Sequence, residues 1–437
     1  MEFFTKKRIL TGITGLLITG SSVFAAIPQP IAAECAENLA NNTSIVGKII
    51  CGYQGWFNAE GDGANLGFKH YVSDGKFEPG YCSVDYWPDM SEMGSGEKYP
   101  TKFHYVDGTV ATTCSSRNPN TVNRHFKWMK EYGIDGVFVQ RFVSTMKSEK
   151  LNVNLNKVYE LCDSASLNNN RLIGVMYDLS GSGPECVEYI KKDWKILVDK
   201  YKIKVTGNTN YLTYKEKPLV AIWGVGFKDR KYTLQNVEEL IRYFKDDPEY
   251  GGCSVLLGIP TYWREQIKDC IADPQLHTLL KRADIIHPWT VGRYATPAAA
   301  DLHKPNYAAD KLWCAQNGMG YMPVVFPGFS WHNLKKGEAP LNQTPRLKGE
   351  FFWRQMYNAI SSDVDMIYVA MFDEMDEGTC IFKCADNPPV GESPFVNYEG
   401  LPSDFYLWLT GRAGAMLRKE VPLQAQIPVY QSNNKNR

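Results

Sequence analysis

DMIYVAMFDEMDEGT, residues Asp365 to Thr379, runs from an apolar stretch straight into four carboxylates in five positions: Asp373, Glu374, Asp376 and Glu377. An unbroken apolar run is what a strand covered on both faces looks like, and such strands belong to parallel sheets flanked by helices. Chemistry in those sheets collects at the C-terminal ends of the strands. Neighbouring like charges repel, and a cleft around them disfavours their ionised forms, so a chain that places four carboxylates there uses them to bind a metal or to handle protons.

Seven further runs share the character of that strand. They span Lys48 to Phe57, Gly136 to Phe142, Arg171 to Leu179, Lys217 to Phe227, Cys253 to Trp263, Ala283 to Thr290 and Tyr321 to Trp331, with Asp365 to Phe372 as the eighth. The intervals Asn123 to Tyr132, Leu155 to Ser166, Val187 to Tyr201, Val237 to Phe244 and Gly349 to Ser361 have helical periodicity and charged outer faces. Parallel strands need crossovers of that kind. Eight strands with helical crossovers predict an α/β fold, a single-domain (β/α)₈ TIM barrel with its active site at the C-terminal strand ends. A doubly wound open sheet is the alternative, but no GxGxxG phosphate loop follows any strand.

With Lys+Arg and Asp+Glu at 48 each, the chain has no basic surplus of the kind a nucleic-acid or anionic-membrane partner calls for. Residues 1–25 read as an export signal: Lys6, Lys7 and Arg8, then apolar Ile9 to Phe24, then small residues for cleavage near Ala25. The expected layout is signal peptide 1–25, a Pro- and Asn-rich leader 26–46 and a barrel domain 47–437, exported to a periplasmic or extracellular space without a membrane-spanning segment in the mature chain. A retained N-terminal anchor is the alternative. Eleven cysteines suit an oxidising compartment. No CxxC or Cys/His spacing matches a zinc site, and no cofactor or metal is expected.

The strand ends are rich in aromatic residues. Tyr53, Gln54 and Trp56 close the first run, Tyr177 and Asp178 the third, Trp223 the fourth, Tyr262 and Trp263 the fifth, and His287 and Trp289 the sixth. Phe329, Trp331 and His332 follow the seventh, and the carboxylate cluster the eighth. Rings that stack on sugar C–H faces, interspersed with groups that take hydroxyls, suit an oligo- or polysaccharide. Single histidines such as His287 and His332 are more often hydrogen-bonded structural residues than metal ligands.

Asp-Glu-Met-Asp-Glu-Gly-Thr, Asp373 to Thr379, resembles the Asn-Glu-Trp-His-Glu-Gly-Thr motif of the endo-α-mannosidases and endo-α-mannanases of glycoside hydrolase family 99. With GYQGWF, Gly52 to Phe57, the chain looks closer still to secreted family 71/99-like barrel proteins, often labelled xylosidase/arabinosidase, over about residues 45 to 415. The resemblance implies Glu374 as general base and Glu377 as acid/base. In the family the base is thought to deprotonate the substrate's own 2-hydroxyl, which forms a 1,2-anhydro sugar, and two inversions give net retention. Asp373, Met375 and Asp376 depart from the motif's Asn, Trp and His, so mannose specificity does not carry over.

Spacing alone leads to a compatible expectation. If residues 374 to 377 form one helical turn, Glu374 and Glu377 are i,i+3 neighbours with Cβ atoms about 5–6 Å apart. Retaining glycosidases hold their carboxyl groups about 5–5.5 Å apart and inverting ones about 6.5–9.5 Å. The spacing favours retention, and the resemblance implies a glycoside hydrolase acting on an α-linked mannan, glucan, xylan or arabinan, which is the preferred function. A lectin-like, non-hydrolytic sugar-binding barrel is one alternative, and a metal-dependent hydrolase or calcium-bound scaffold using the motif carboxylates, helped by Glu60, Asp62 and Asn65, is another. Cys380 and Cys384, four residues apart behind the motif, are expected to pin its loop as a disulfide.

Overall fold

A computed structural model of the chain describes residues 42–204 and 210–432. The signal peptide and most of the leader lie outside the described residues. Eight parallel strands carry the fold: β1 Ile49–Tyr53, β2 Gly136–Phe142, β3 Leu172–Asp178, β4 Lys217–Trp223, β5 Ser254–Pro260, β6 Ile285–Trp289, a split β7 made of Gly320–Tyr321 and Val324–Val325, and β8 Ile367–Val369. Each of the eight apolar runs contains or overlaps one of them.

The two pieces of β7 close the sheet on itself. Gly320–Tyr321 pairs with β6 and Val324–Val325 with β8, and β8 pairs in turn with β1 through Ile49↔Ile367, Ile50↔Tyr368 and Cys51↔Val369. The interruption at Met322 and Pro323 follows from chemistry, because proline has no N–H for the ladder. The result is the expected (β/α)₈ barrel.

Helices α1 Pro119–Tyr132, α2 Glu149–Asn169, α3 Cys186–Tyr201, α4 Leu234–Asp246, α5 Gln275–Leu280, α6 Pro297–Gln316, α7 Glu350–Ser361 and α8 Phe405–Leu417 form the outer layer. Their ends are set by local chemistry. The Asn118 side chain accepts from the N–H groups of Asn120 and Thr121 ahead of Pro119, and Gly133 at φ 73° stops the same helix in the left-handed region. Helices α5, α6 and α8 were not legible beforehand. Pro305 interrupts the pattern of α6, and α8 is apolar nearly all round because it is buried among α1 and α7.

Alternation along each strand divides the side chains between two cores. Inward positions Ile50, Phe138, Met176, Ala221, Leu256 and Tyr368 fill the barrel, while Cys51, Tyr53, Tyr177 and Ile222 face the helices. Gly52 is an inward position where a Cβ would fall 2.1 Å from both Met371 Cε and the Tyr368 hydroxyl, so glycine leaves the room those two side chains occupy inside the barrel. An antiparallel hairpin, Tyr99–His104 with Val110–Thr113, lies between β1 and α1 in sequence. It was not anticipated. Among the described residues no helix is long and apolar enough to cross a membrane.

Candidate active site

Strand β8 ends at Val369, and the chain then enters the carboxylate segment. Residues 375–378 form a turn, closed by the Gly378 N–H on the Met375 carbonyl at 3.3 Å, with Gly378 at φ 62°. This corrects the expected helical turn. Glu374 and Glu377, three positions apart, are instead aimed by a tight loop whose Thr379 and Cys380 N–H groups both donate to the Glu374 carbonyl, each at 3.1 Å.

Each acid has a different environment. Asp373 accepts the N–H groups of Gln54 at 2.7 Å and Gly55 at 2.9 Å, so both its oxygens are spent tying the end of β1 to the motif, and burial raises its pKa to about 7. Its expected place among the sugar-contacting groups is thereby corrected. Glu374 is buried and accepts from Gln54 Nε2 at 2.7 Å and from Thr379 Oγ1 at 2.9 Å. Burial first, then the charges of Glu377 and Asp376, push its pKa well above the usual carboxylate range. Glu377 takes no side-chain hydrogen bond from the described residues and is partly open to solvent; burial, with help from Asp376, lifts it to about 7. One glutamate is clamped and the other is free.

Around them the mouth gathers several predicted groups. Trp56 is partly buried and stacks on His70 with ring centroids 4.1 Å apart at 4°, and His70 Nδ1 lies 3.5 Å from Asp376 Oδ2. Trp223 and Trp289 meet edge to face at 5.3 Å over the barrel core. Asp178, turned inward at the end of β3, is raised to about 6 by burial. His287 donates Nδ1–H to the Met322 carbonyl at 2.9 Å, and burial lowers it to about 4, so its Nε2 is a bare acceptor inside the barrel. Gln54 Oε1, Trp56 Nε1, Trp223 Nε1, His287 Nε2 and Asp376 Oδ1 are all buried without a hydrogen-bond partner among the described residues. Buried polar atoms are seldom left unpaired, and this set of two donors and three acceptors matches a polyhydroxylated ligand.

Other predicted residues lie elsewhere. Tyr53, Tyr177 and Trp263 are fully buried on the outer face of the strands: Tyr53 bonds His125 of α1, Tyr177 bonds Asp193 of α3, and Trp263 packs edge on against Trp313 of α6 at 4.7 Å. Strand alternation explains the correction for Tyr53 and Tyr177, each one step from an inward residue, while Trp263 lies in the turn beyond β5, which carries its ring onto α6. Tyr262 and Trp331 are partly exposed, with the ammonium groups of Lys268 and Lys335 over their rings at 4.1 and 4.6 Å.

Asp62, in the stretch considered for a metal, is committed to other contacts. Asp62 accepts from Asn58, Ala59 and Ser115, and among the described residues no three His, Cys, Asp or Glu side chains gather as a metal-holding group. His332 bonds the Ala339 carbonyl. Cys380 and Cys384 are buried thiols with sulfurs 3.6 Å apart, close but unbonded, against the expected disulfide.

Sequence reasoning passed over His70 and Thr379. Thr379 stood within the motif and was readable as a hydroxyl beside a glutamate. His70 belongs to a loop with no periodicity and gave no signal.

A closed (β/α)₈ barrel with an acid pair behind β8 defines the class. No protein-family model and no curated protein matches the chain. Among solved structures it is similar to the GH99 endo-α-mannosidase from Bacteroides thetaiotaomicron, with a TM-score of 0.62 and 16% identity over 85% of this chain and 98% of that one. The same enzyme in complex with bis-tris-propane gives 0.61 at 15% identity and the same coverage. At such identity the shared property is the barrel fold.

Proposed function

We propose that the chain is a secreted, retaining glycoside hydrolase of the family 71/99-like type, acting on an α-linked glycan with Glu374 as base and Glu377 as acid/base. The observation that carries this is the unequal treatment of the two glutamates. A group with pKa near neutrality and no hydrogen bond to restrain its proton is suited to protonate a departing glycosidic oxygen and to take a proton back. Glu377 has that character.

Glu374 is held by Gln54 and Thr379, so its carboxylate keeps one orientation toward the sugar. The resemblance then supplies its role, drawing the proton from the substrate's 2-hydroxyl as that oxygen attacks the anomeric carbon. Opening of the 1,2-anhydro sugar by water, with Glu377 now as base, completes two inversions and returns the original configuration. Trp56, Trp223 and Trp289 offer faces and indole N–H groups to the sugar, while Asp178, His287 and Asp376 offer acceptors. The fold likeness to an endo-α-mannosidase supports an α-linked substrate, while Met375 and Asp376 leave the sugar open.

The test is a hydrolysis screen over α-linked mannan, glucan, xylan and arabinan fragments, with product anomer followed by NMR. Turnover with retention supports the assignment; inversion refutes it. Tight binding of one glycan without turnover would establish the sugar-binding barrel instead. The export signal is tested separately, by N-terminal sequencing of protein recovered outside the cytoplasm.

A further inference from the structure

Arg346 lies just ahead of α7 and is almost wholly buried, yet among the described residues it forms no ion pair. Its guanidinium carbon stands 4.3, 4.6 and 5.3 Å from the ring centres of Tyr86, Tyr406 and Tyr398. One nitrogen, Nη2, donates to the Gly378 carbonyl at 3.0 Å and the Cys380 carbonyl at 2.7 Å, while Nε and Nη1 have no hydrogen-bond partner among the described residues. Gly328 makes way for the stem, since a Cβ there would fall 2.7 Å from Arg346 Cγ.

A buried, unpaired charge is costly, and an apolar side chain of similar volume would fill the same space more cheaply. Three tyrosine faces offset part of that cost, which explains how the charge is tolerated but not what it does. Its hydrogen bonds explain more. Gly378 directly follows Glu377, and Cys380 directly follows Thr379, the residue whose hydroxyl holds Glu374. A single nitrogen therefore grips the carbonyl beyond each glutamate's support.

We infer that Arg346 is a positioning residue for the carboxylate pair, setting the turn that aims Glu377 and the Thr379 hydroxyl that orients Glu374. The inference rests on the glycosidase reading for its consequence in turnover, though not for its consequence in the turn itself. Without Nη2 the carbonyls of Gly378 and Cys380 rotate, the N–H groups of Thr379 and Cys380 lose their fixed line to the Glu374 carbonyl, and the two acids lose their mutual geometry.

The experiment compares Arg346→Met and Arg346→Lys in the full chain by hydrogen exchange and, on the glycan found in the screen, by kcat and KM. In Arg346→Met, exchange is expected to speed at least tenfold in residues 374–381 and to stay unchanged over the segments carrying Tyr86, Tyr398 and Tyr406. kcat should fall about 10²-fold, the scale of a misplacement near 1 Å, while KM holds within about threefold. Arg346→Lys, which keeps a donor, should restore part of both. Wild-type exchange and kcat in Arg346→Met overturn the inference, as does loosening shared with the three tyrosine segments and not relieved by lysine.

Should the Met variant fail to fold, the Lys variant decides: a loosened 374–381 segment with unchanged kcat overturns the inference, and segment and kcat moving together support it. If the wild-type protein hydrolyses no glycan, the functional reading fails there, and exchange in the variants still tests the role in the turn.

Discussion

Gln54→Met isolates the hydrogen bond that arms Glu374. The Gln54 side chain is buried at the end of β1, and its Nε2 reaches Glu374 Oε1 at 2.7 Å; among the described residues Thr379 Oγ1 is the only other side chain donating to that carboxylate. Everything else near Glu374, burial and the charges of Glu377 and Asp376, works against its ionised form. A hydrogen bond to a charged group is worth about 1.5–3 kcal/mol. At about 1.36 kcal/mol per pKa unit, losing one donor raises Glu374 by about 1–2 units more. A base acts ionised, so the acid limb of kcat/KM should move to higher pH by that amount. Methionine has a similar length and volume, and Thr379 with the two N–H bonds to the Glu374 carbonyl keeps the backbone in place. The plateau above the limb should therefore stay within a few fold of wild type. The assay is kcat/KM from pH 4 to pH 10 on an activated aryl glycoside of the sugar identified in the screen, whose departure needs little help from Glu377, so that loss of the Glu377 proton does not cut off the plateau. An unmoved limb with a uniformly lowered plateau would refute the reasoning, and would mean that Gln54 acts on the substrate through its unpartnered Oε1.

Glu377→Gln should cost poor leaving groups about 10²–10⁴-fold and activated ones much less, whereas Glu374→Gln should slow both alike; paired rate ratios on the two substrate kinds check this, and equal losses in both variants would contradict the separate roles. Stability should carry the same signature. Glu377 is raised from 4.5 to about 7 in the fold, so between these values the folded protein holds a proton the unfolded chain has released, and its contribution falls as pH rises. Glu377→Gln should accordingly gain about 1–3 kcal/mol on wild type between pH 5 and pH 8, after allowing for its partial exposure, as read from urea midpoints; a flat or reversed difference would be inconsistent. Trp223→Ala should weaken glycan binding more than folding, whereas Trp263→Ala, with the ring fully buried against Trp313, should cost about 3–5 kcal/mol and leave binding per folded molecule unchanged. Calorimetric binding alongside denaturation distinguishes the two, and a swap of the two effects would mean the assignment of faces is wrong.

Eight covered parallel strands must be written as eight apolar runs, and helical crossovers must carry an apolar stripe. The eight strands were therefore legible from local pattern, although the seventh run, Tyr321 to Trp331, overran its strand's end at Val325. The acid pair was legible for the same reason: Glu374 and Glu377 are neighbours in the chain, and nothing but a site calls for four carboxylates in so short a stretch. Which ring faces the sugar was a different kind of question. Tyr53 and Gln54, or Tyr177 and Asp178, differ by one step along a strand and hence by which side of the sheet they occupy, and composition does not record that step's phase. The phase is set by register, by Ile50 standing opposite Tyr368 and by the bare backbone of Gly52 against Met371. Only the closed barrel could decide it. The same holds for His70 beside Asp376, 306 positions away, and for Arg346 under Gly378 and Cys380. Such contacts form because loops from different strand ends share one mouth, and no segment of the chain carries the energy that brings them together.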